Sequence, residues 1–358
     1  MHLTKKGMVI TMKKRLLLLA LTMVLATSTL ACNLKKLTKY EARFLEVFNT
    51  ITEVIAYSHD KEDFEKFAQL IYDNLKVYHQ LYDKYKEYDG INNIKTINDN
   101  AGISPVKVDK RIIDLLLFCK DAYNISNGKV NIAMGSVLKI WHDYRTAGIE
   151  NPESAQLPPM ETLVEANNHT DINRIIIDVE ASTVYLDDPF MSLDVGAIAK
   201  GYATEQVAQL AIKEGYNNFL LSVGGNVRAS GYKSEEKELW RVGIQNPDTS
   251  SEQKSIYTLN ITDLSLVSSG DYERYYTVDG QRYHHIIDPD TLMPANYFSA
   301  VSILCQDSGM ADLLSTAIFS MPYQQGKSLI DALDQVEAIW IYPNGDVKFS
   351  DSFQDYIN

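Results

Sequence analysis

Three cysteines in 358 residues, with no Cys-x-x-Cys spacing, leave this chain without a disulfide framework or a cysteine-based zinc site. Cys119 follows the apolar run Leu115-Leu116-Leu117-Phe118 and reads as a buried small hydrophobe. Cys305 ends the strand-like Val301-Ser302-Ile303-Leu304, and a bridge between the two is left open. Positive charge is scarce: 34 Lys and Arg face 47 Asp and Glu, a net charge of −13. Five of those cations, and no acid, fall in the first 31 residues, so the remainder sits near −18. A surface that acidic argues against a nucleic-acid partner, which needs clustered positive charge, and against a basic membrane-binding patch. There is no repeat and no low-complexity tract. With 45% hydrophobic and 23% charged residues, the composition is that of a folded protein. The apolar run from Leu16 to Ala31 is too short for a comfortable membrane span.

That run reads instead as a targeting segment. Lys13, Lys14 and Arg15 precede it, and it ends at Thr29-Leu30-Ala31-Cys32. The ending resembles a bacterial lipobox, in which the cysteine becomes the lipidated N-terminus, with Thr29 where leucine is usual. The expected organisation is a signal peptide over 1–31, a lipidated Cys32 with a polar tether to residue 42, and one domain over 43–350. The expected location is the cell membrane, lipid-anchored on its extracytoplasmic face. An ordinary cleaved signal peptide or a single anchor helix would also fit, and both Met1 and Met12 are candidate starts.

Lys35 to Arg43 reads as tether and Phe44 to Ser58 as a strand. Helical spacing covers Asp63 to Lys86, Asp109 to Asn124, Val137 to Trp141, Ile198 to Glu214, Ala311 to Met321 and Gln325 to Leu333. Asp89 to Gly102 and Asn151 to Pro159 read as loops. Arg174 to Asp178, Thr183 to Leu186, Phe190 to Leu193 and Phe219 to Val223 read as strands, and strands dominate from there to Leu304. Helices and strands mix without β-α alternation, which predicts an α+β fold. The first part is richer in helix and the second in strand, with no linker between them.

Five segments carry candidate chemistry. Leu193-Asp194-Val195-Gly196-Ala197-Ile198-Ala199-Lys200-Gly201 packs a carboxylate, two glycines and a lysine into a helix start, which suits a phosphate with a metal beside it. Alone, it is equally a strand-to-helix turn with a surface lysine. Ser222-Val223-Gly224-Gly225-Asn226 is a hairpin turn or a site of close ligand approach. Ser268 to Tyr275 is a polar, glycine-bearing turn before a tyrosine-rich strand. His284-His285-Ile286-Ile287-Asp288-Pro289 holds two of the seven histidines, structural or catalytic. Asp312 and Thr316 are four apart in a helix, so their oxygens share a face. Such a pair suits a hard cation such as Mg²⁺, completed by water and phosphate oxygens; Asp312 could equally balance the helix dipole.

Taken in order, Asp194-x-Gly-x-x-x-Lys200-Gly, Gly224-Gly225, Ser269-Gly270-Asp271-Tyr272, His285-Ile286-x-Asp288-Pro289 and Asp312-x-x-Ser-Thr316 resemble the ApbE family over about residues 43 to 348. These are bacterial FAD:protein FMN transferases, often lipoproteins. The resemblance implies a single α+β, T-fold-related catalytic domain of two lobes with the flavin site between them. It implies Mg²⁺ as cofactor and FAD as substrate. FMN would pass to a threonine or serine hydroxyl of an acceptor flavoprotein, with release of AMP. By position, Phe48, Tyr85, Val130, Asn131, Ile132, Asp194, Lys200 and Ile286 match FAD contacts. Ala197 through its carbonyl, with Asp312, Ser315 and Thr316, matches the metal ligands, and His285 is the candidate base. Phe48 to Thr50 stands where Met-Gly-Thr is frequent. Asn131 and Asn226 replace frequent aspartates, and Leu292 replaces a glycine. The alternatives are a Mg²⁺-dependent FAD pyrophosphatase, a non-catalytic FAD-binding lipoprotein, and a solute-binding lipoprotein. The last fits poorly, because two comparable α/β lobes are not evident.

Overall fold

The structure, a computed structural model, describes residues 37–358. The expected signal peptide and Cys32 lie outside the described residues. From Thr38 onward the expected tether is an edge strand, β1 (Thr38–Phe44), paired with β2 (Thr52–Ser58). The reason is period-two alternation: Tyr40, Ala42 and Phe44 turn inward while Lys39, Glu41 and Arg43 face solvent. Arg43 pairs with its cross-strand neighbour Glu53 at 2.7 Å, and charges along this edge discourage further strand addition.

The remaining elements follow in order: α1 (Lys61–Tyr82), α2 (Ile94–Asp99), β3 (Val106–Lys107), α3 (Lys110–Ile125), α4 (Gly135–Glu150), α5 (Met160–Asn167), β4 (Ile175–Asp178), β5 (Thr183–Leu186) and α6 (Ala199–Lys213). Then come β6 (Phe219–Val223), β7 (Asn226–Ser230), β8 (Trp240–Gln245), β9 (Ser255–Ile261), β10 (Ser265–Gly270), β11 (Tyr275–Val278), β12 (Gln281–His284) and β13 (Ala300–Cys305). The chain closes with α7 (Ser308–Phe319), α8 (Tyr323–Asp331), β14 (Glu337–Ile341) and β15 (Val347–Phe349). Four expectations differ. Phe44 to Ser58 is a strand end, a turn and a strand rather than one strand. The loop over 89–102 contains α2, capped by Asn93 and Thr96. The helix at Val137 extends through Glu150. Phe190 to Leu193 is no strand; it touches Met134 only through a bridge at Ser192.

The central sheet has eight strands in the order β1-β2-β6-β7-β10-β13-β14-β15, antiparallel throughout. Its inner strands are buried on both faces, and alternate residues serve different cores. In β14, Ala338 and Trp340 join the main core under the helices, while Ile339 and Ile341 join a second core under the β8–β9 hairpin. β10 and β13 divide in the same way. The main core runs from Val47 to Trp340 without interruption, so the two lobes share one interior. A third cluster, around Val137, Trp141, Leu163, Tyr276, Ile287 and Leu292, joins α4 and α5 to the β11–β12 hairpin. Cys119 and Cys305 are buried free thiols. Among the described residues no helix is long and apolar enough to cross a membrane.

Candidate functional site

A cavity of about 850 Å³ is lined by residues drawn from Phe48 through Thr316. Its size is within the range of cofactor sites. Of the residues expected at a flavin and metal site, Phe48, Tyr85, Val130, Asn131, Asp194, Ala197, Lys200, His285, Ile286, Asp312 and Thr316 line it. They come from six separate stretches of chain.

Two expected residues are not brought to it. Ile132 is fully buried behind the wall, and its carbonyl accepts the Asp194 N–H at 2.8 Å. Ser315 is fully buried too; its Oγ donates to the Asp312 carbonyl at 3.0 Å and lies 2.9 Å from Ser269 Oγ. Both brace residues that do face the cavity.

The α6 start and α7 form one corner. Asp312 is 5% exposed, and one of its oxygens accepts the Gly201 N–H at 2.8 Å, with Lys200 Nζ 3.7 Å away. Burial pushes the Asp312 carboxyl above its ordinary value, opposed by Lys200 and Gly201. A Cβ on Gly201 would be driven into the Ser308 carbonyl and Asp312 itself, so only glycine lets the helices approach this closely. A buried carboxylate with its second oxygen unengaged, lining the same cavity as Thr316 and Ala197, offers oxygen donors of the kind that fit a hard divalent cation.

Asp194 stands at another wall, ion-paired to Lys84 and accepting the Gly196 N–H at 2.9 Å. Burial opposes its ionisation, but Lys84 and Gly196 outweigh burial and hold its pKa below the ordinary range. Lys84 also lies 4.9 Å over the Tyr85 ring.

His285 is fixed by its neighbours. The buried His284 donates from Nε2 to the Ala295 carbonyl at 2.6 Å and accepts the Ile286 N–H at Nδ1, pinning the turn. His285 Nδ1 is buried and has no hydrogen-bond partner. Burial first, then Arg274, His284, Arg145 and Lys200, lower the His285 pKa to about 3, so its ring is neutral at pH 7. Below the turn, Lys129 reaches Asp288 at 2.7 Å and Asp290 at 2.8 Å, tying residues 129–131 to the histidine segment. Asp288→Ala is expected to cost about 2 kcal/mol, because the nearly buried Lys129 keeps only the exposed Asp290. Denaturant unfolding checks this; an unchanged midpoint contradicts it.

The turn Phe48-Asn49 enters the cavity with both residues at positive φ, 54° and 51°. Neither is glycine, so the turn is strained where it meets the cavity. Gly224 and Gly225, at φ 56° and 87°, make the two-residue β6–β7 hairpin turn facing it. Leu292 is also left-handed, at φ 59°, and its backbone strain is offset by burial against Trp141. Lys84, Arg145 and Arg274 line the cavity without having been foreseen. Each is a single cation with no spacing pattern; the partner of Lys84 is 110 residues away.

Fold and cavity together define an enzyme cleft with a buried oxygen-donor corner, an ionised carboxylate and a neutral histidine. The model of the ApbE family matches residues 48–340, and the chain belongs to that family. It is 33% identical over 277 residues to the FAD:protein FMN transferase of Treponema pallidum, covering 74% of each chain. It is 30% identical to that of Klebsiella pneumoniae, over 82% of this chain and 86% of the relative. The crystal structure of the ApbE protein of Thermotoga maritima superposes with a TM-score of 0.78, covering 90% of this chain and 100% of that one at 27% identity. The flavin transferase ApbE of Vibrio cholerae, at 22% identity and TM-score 0.73, shares the fold over 89% of this chain and 100% of its own.

Proposed function

We propose that this chain is a transferase that moves FMN from FAD onto a threonine or serine hydroxyl of a target flavoprotein, releasing AMP. Its relatives carry the name of that activity. The observation that carries it here is the meeting of Asp312, Thr316, Lys200 and His285 in one cavity. The acceptor oxygen attacks the FMN-side phosphorus, the pyrophosphate P–O bond breaks, AMP leaves, and the hydroxyl proton passes to a base. Such a reaction needs positioning and charge neutralisation more than covalent help. Mg²⁺ held by Asp312, Thr316 and the Ala197 carbonyl would supply that neutralisation to the pyrophosphate when bound. Lys200 adds a second positive charge beside Asp312. Asp194, ionised, suits hydroxyl or N–H groups of FAD, because it would repel the phosphates. His285, neutral, is the proton acceptor.

His285→Ala is expected to lower transfer by about 10²- to 10⁴-fold with a much smaller loss of FAD affinity. An equal loss of both would make His285 a binding residue. The pH profile is a separate check. With the histidine depressed to about 3, kcat/KM for FAD, which reports free-enzyme groups, has no histidine limb from pH 7 down to about 5. An acid limb near 6.5 in the native protein, absent from His285→Ala, contradicts that. Incubation with FAD and an acceptor separates the readings: covalent flavin on the acceptor supports transfer, and free FMN plus AMP supports a pyrophosphatase.

We also propose that Cys32 carries the lipid that holds the protein on the extracytoplasmic face of the membrane. Cys32→Ser is expected to lose palmitate label and leave the membrane fraction; unchanged labelling contradicts it.

A further inference from the structure

Five cations line the cavity: Lys84, Lys129, Arg145, Lys200 and Arg274. Three face carboxylates: Lys84 meets Asp194, Lys129 meets Asp288 and Asp290, and Lys200 meets Asp312. Among the described residues, no carboxylate stands within ion-pair distance of Arg145 or Arg274; Arg145 Nη2 instead lies 3.1 Å from His142 Nδ1. In a chain with a net charge of −13, two unpaired arginines on one cavity run against the charge balance.

The fold holds them together. α4 packs so tightly on β11 that a Cβ on Gly148 would enter the Tyr276 ring. Arg145 is three residues before Gly148, on the same face of the helix, and Arg274 immediately precedes β11. Tyr276 Oη donates to the Gln156 carbonyl at 3.0 Å, and the Trp141 and Tyr283 rings stack behind. The two guanidinium groups feel each other: burial first, and then Arg274, lowers the pKa of Arg145. That repulsion is relieved when an anion sits between them.

We infer that the Arg145–Arg274 pair is a subsite for a carboxylate of the acceptor protein, placing its hydroxyl at His285. This rests on the proposed transfer reaction. Two features favour an acceptor group over the FAD phosphates. Lys200 and Asp312, on α6 and α7, mark the phosphate corner, whereas the arginines lie on the α4–β11 wall. Arg274 is exposed and Arg145 half-buried, a difference suited to a chain arriving from solvent. A guanidinium fork matches a carboxylate in geometry as well as charge.

The test uses two synthetic threonine peptides differing only in an aspartate or an asparagine near the threonine. Their binding to the FAD-loaded protein is read by fluorescence anisotropy, and FAD affinity by flavin fluorescence. The native protein is expected to bind the aspartate peptide about tenfold more tightly. Arg145→Gln and Arg274→Gln are expected to lose that preference while FAD affinity stays within about twofold. Equal binding of the two peptides by the native protein overturns the inference, as does a parallel loss of FAD affinity, which would give the arginines to FAD. Because binding is read apart from turnover, failure of the transfer reaction itself would appear separately, as bound peptide that never gains flavin.

Discussion

Asp312→Asn is expected to lower FMN transfer by about a thousandfold or more without destabilising the metal-free protein. The rate loss follows from removing the carboxylate of the proposed cation corner, where charge neutralisation would contribute several kcal/mol to phosphoryl chemistry. The stability side follows from the raised pKa of Asp312, whose main cause is burial. A carboxyl that ionises less readily in the folded state than in the unfolded state makes its charged form a cost of folding. Stability from this group is fully present below its unfolded-state pKa and is lost as pH rises through the raised folded-state pKa, so the charged form is the less favourable one for folding. Asparagine removes the charge and keeps an oxygen for the Gly201 N–H. The melting temperature of the metal-free variant is therefore expected to equal or exceed that of the native protein, and calorimetric Mg²⁺ binding to vanish. Native turnover by the variant would remove Asp312 from the site.

Gly201→Ala is expected to do the opposite to stability and the same to activity. Alanine in a helix is intrinsically better than glycine by about 1 kcal/mol. Here that gain is outweighed, because the new methyl meets the Ser308 carbonyl and Asp312 Cβ, neither of which is a free side-chain end. Overpacking of this kind costs about 1–3 kcal/mol. The net expectation is a loss of up to about 2 kcal/mol by denaturant unfolding. Transfer is also expected to fall steeply, because α6 and α7 must part at the corner that holds Asp312. A variant as stable and active as the native protein would show that the close approach of these helices is dispensable.

The contrast between these variants bears on what the sequence could reveal. The spacing around Asp194, Lys200 and Gly201 was visible as a glycine-bearing helix start. That Gly201 serves Asp312, 111 residues on, needed the α6–α7 contact. The strands at Thr183 and Phe219 were legible because their alternation matches their burial. Phe190 to Leu193 misled because an apolar run is consistent with any buried segment, and here it is an irregular approach to Asp194. The turn at Phe48 and Asn49 was hidden because neither residue is a glycine, though both adopt the left-handed conformation. β1 was overlooked for its charges, although its alternation was there to read. Arg145 and Arg274 could not be found from spacing, since only the packing of α4 on β11 brings them together.

The measurement that bears most directly on the account is mass spectrometry of a membrane flavoprotein subunit co-expressed with this chain. The account predicts that the subunit gains one FMN through a phosphoester at a threonine or serine, and that purified protein, FAD, Mg²⁺ and the same subunit release AMP in equal amount. An unmodified subunit with free FMN and AMP in solution, or FAD left intact, would contradict it.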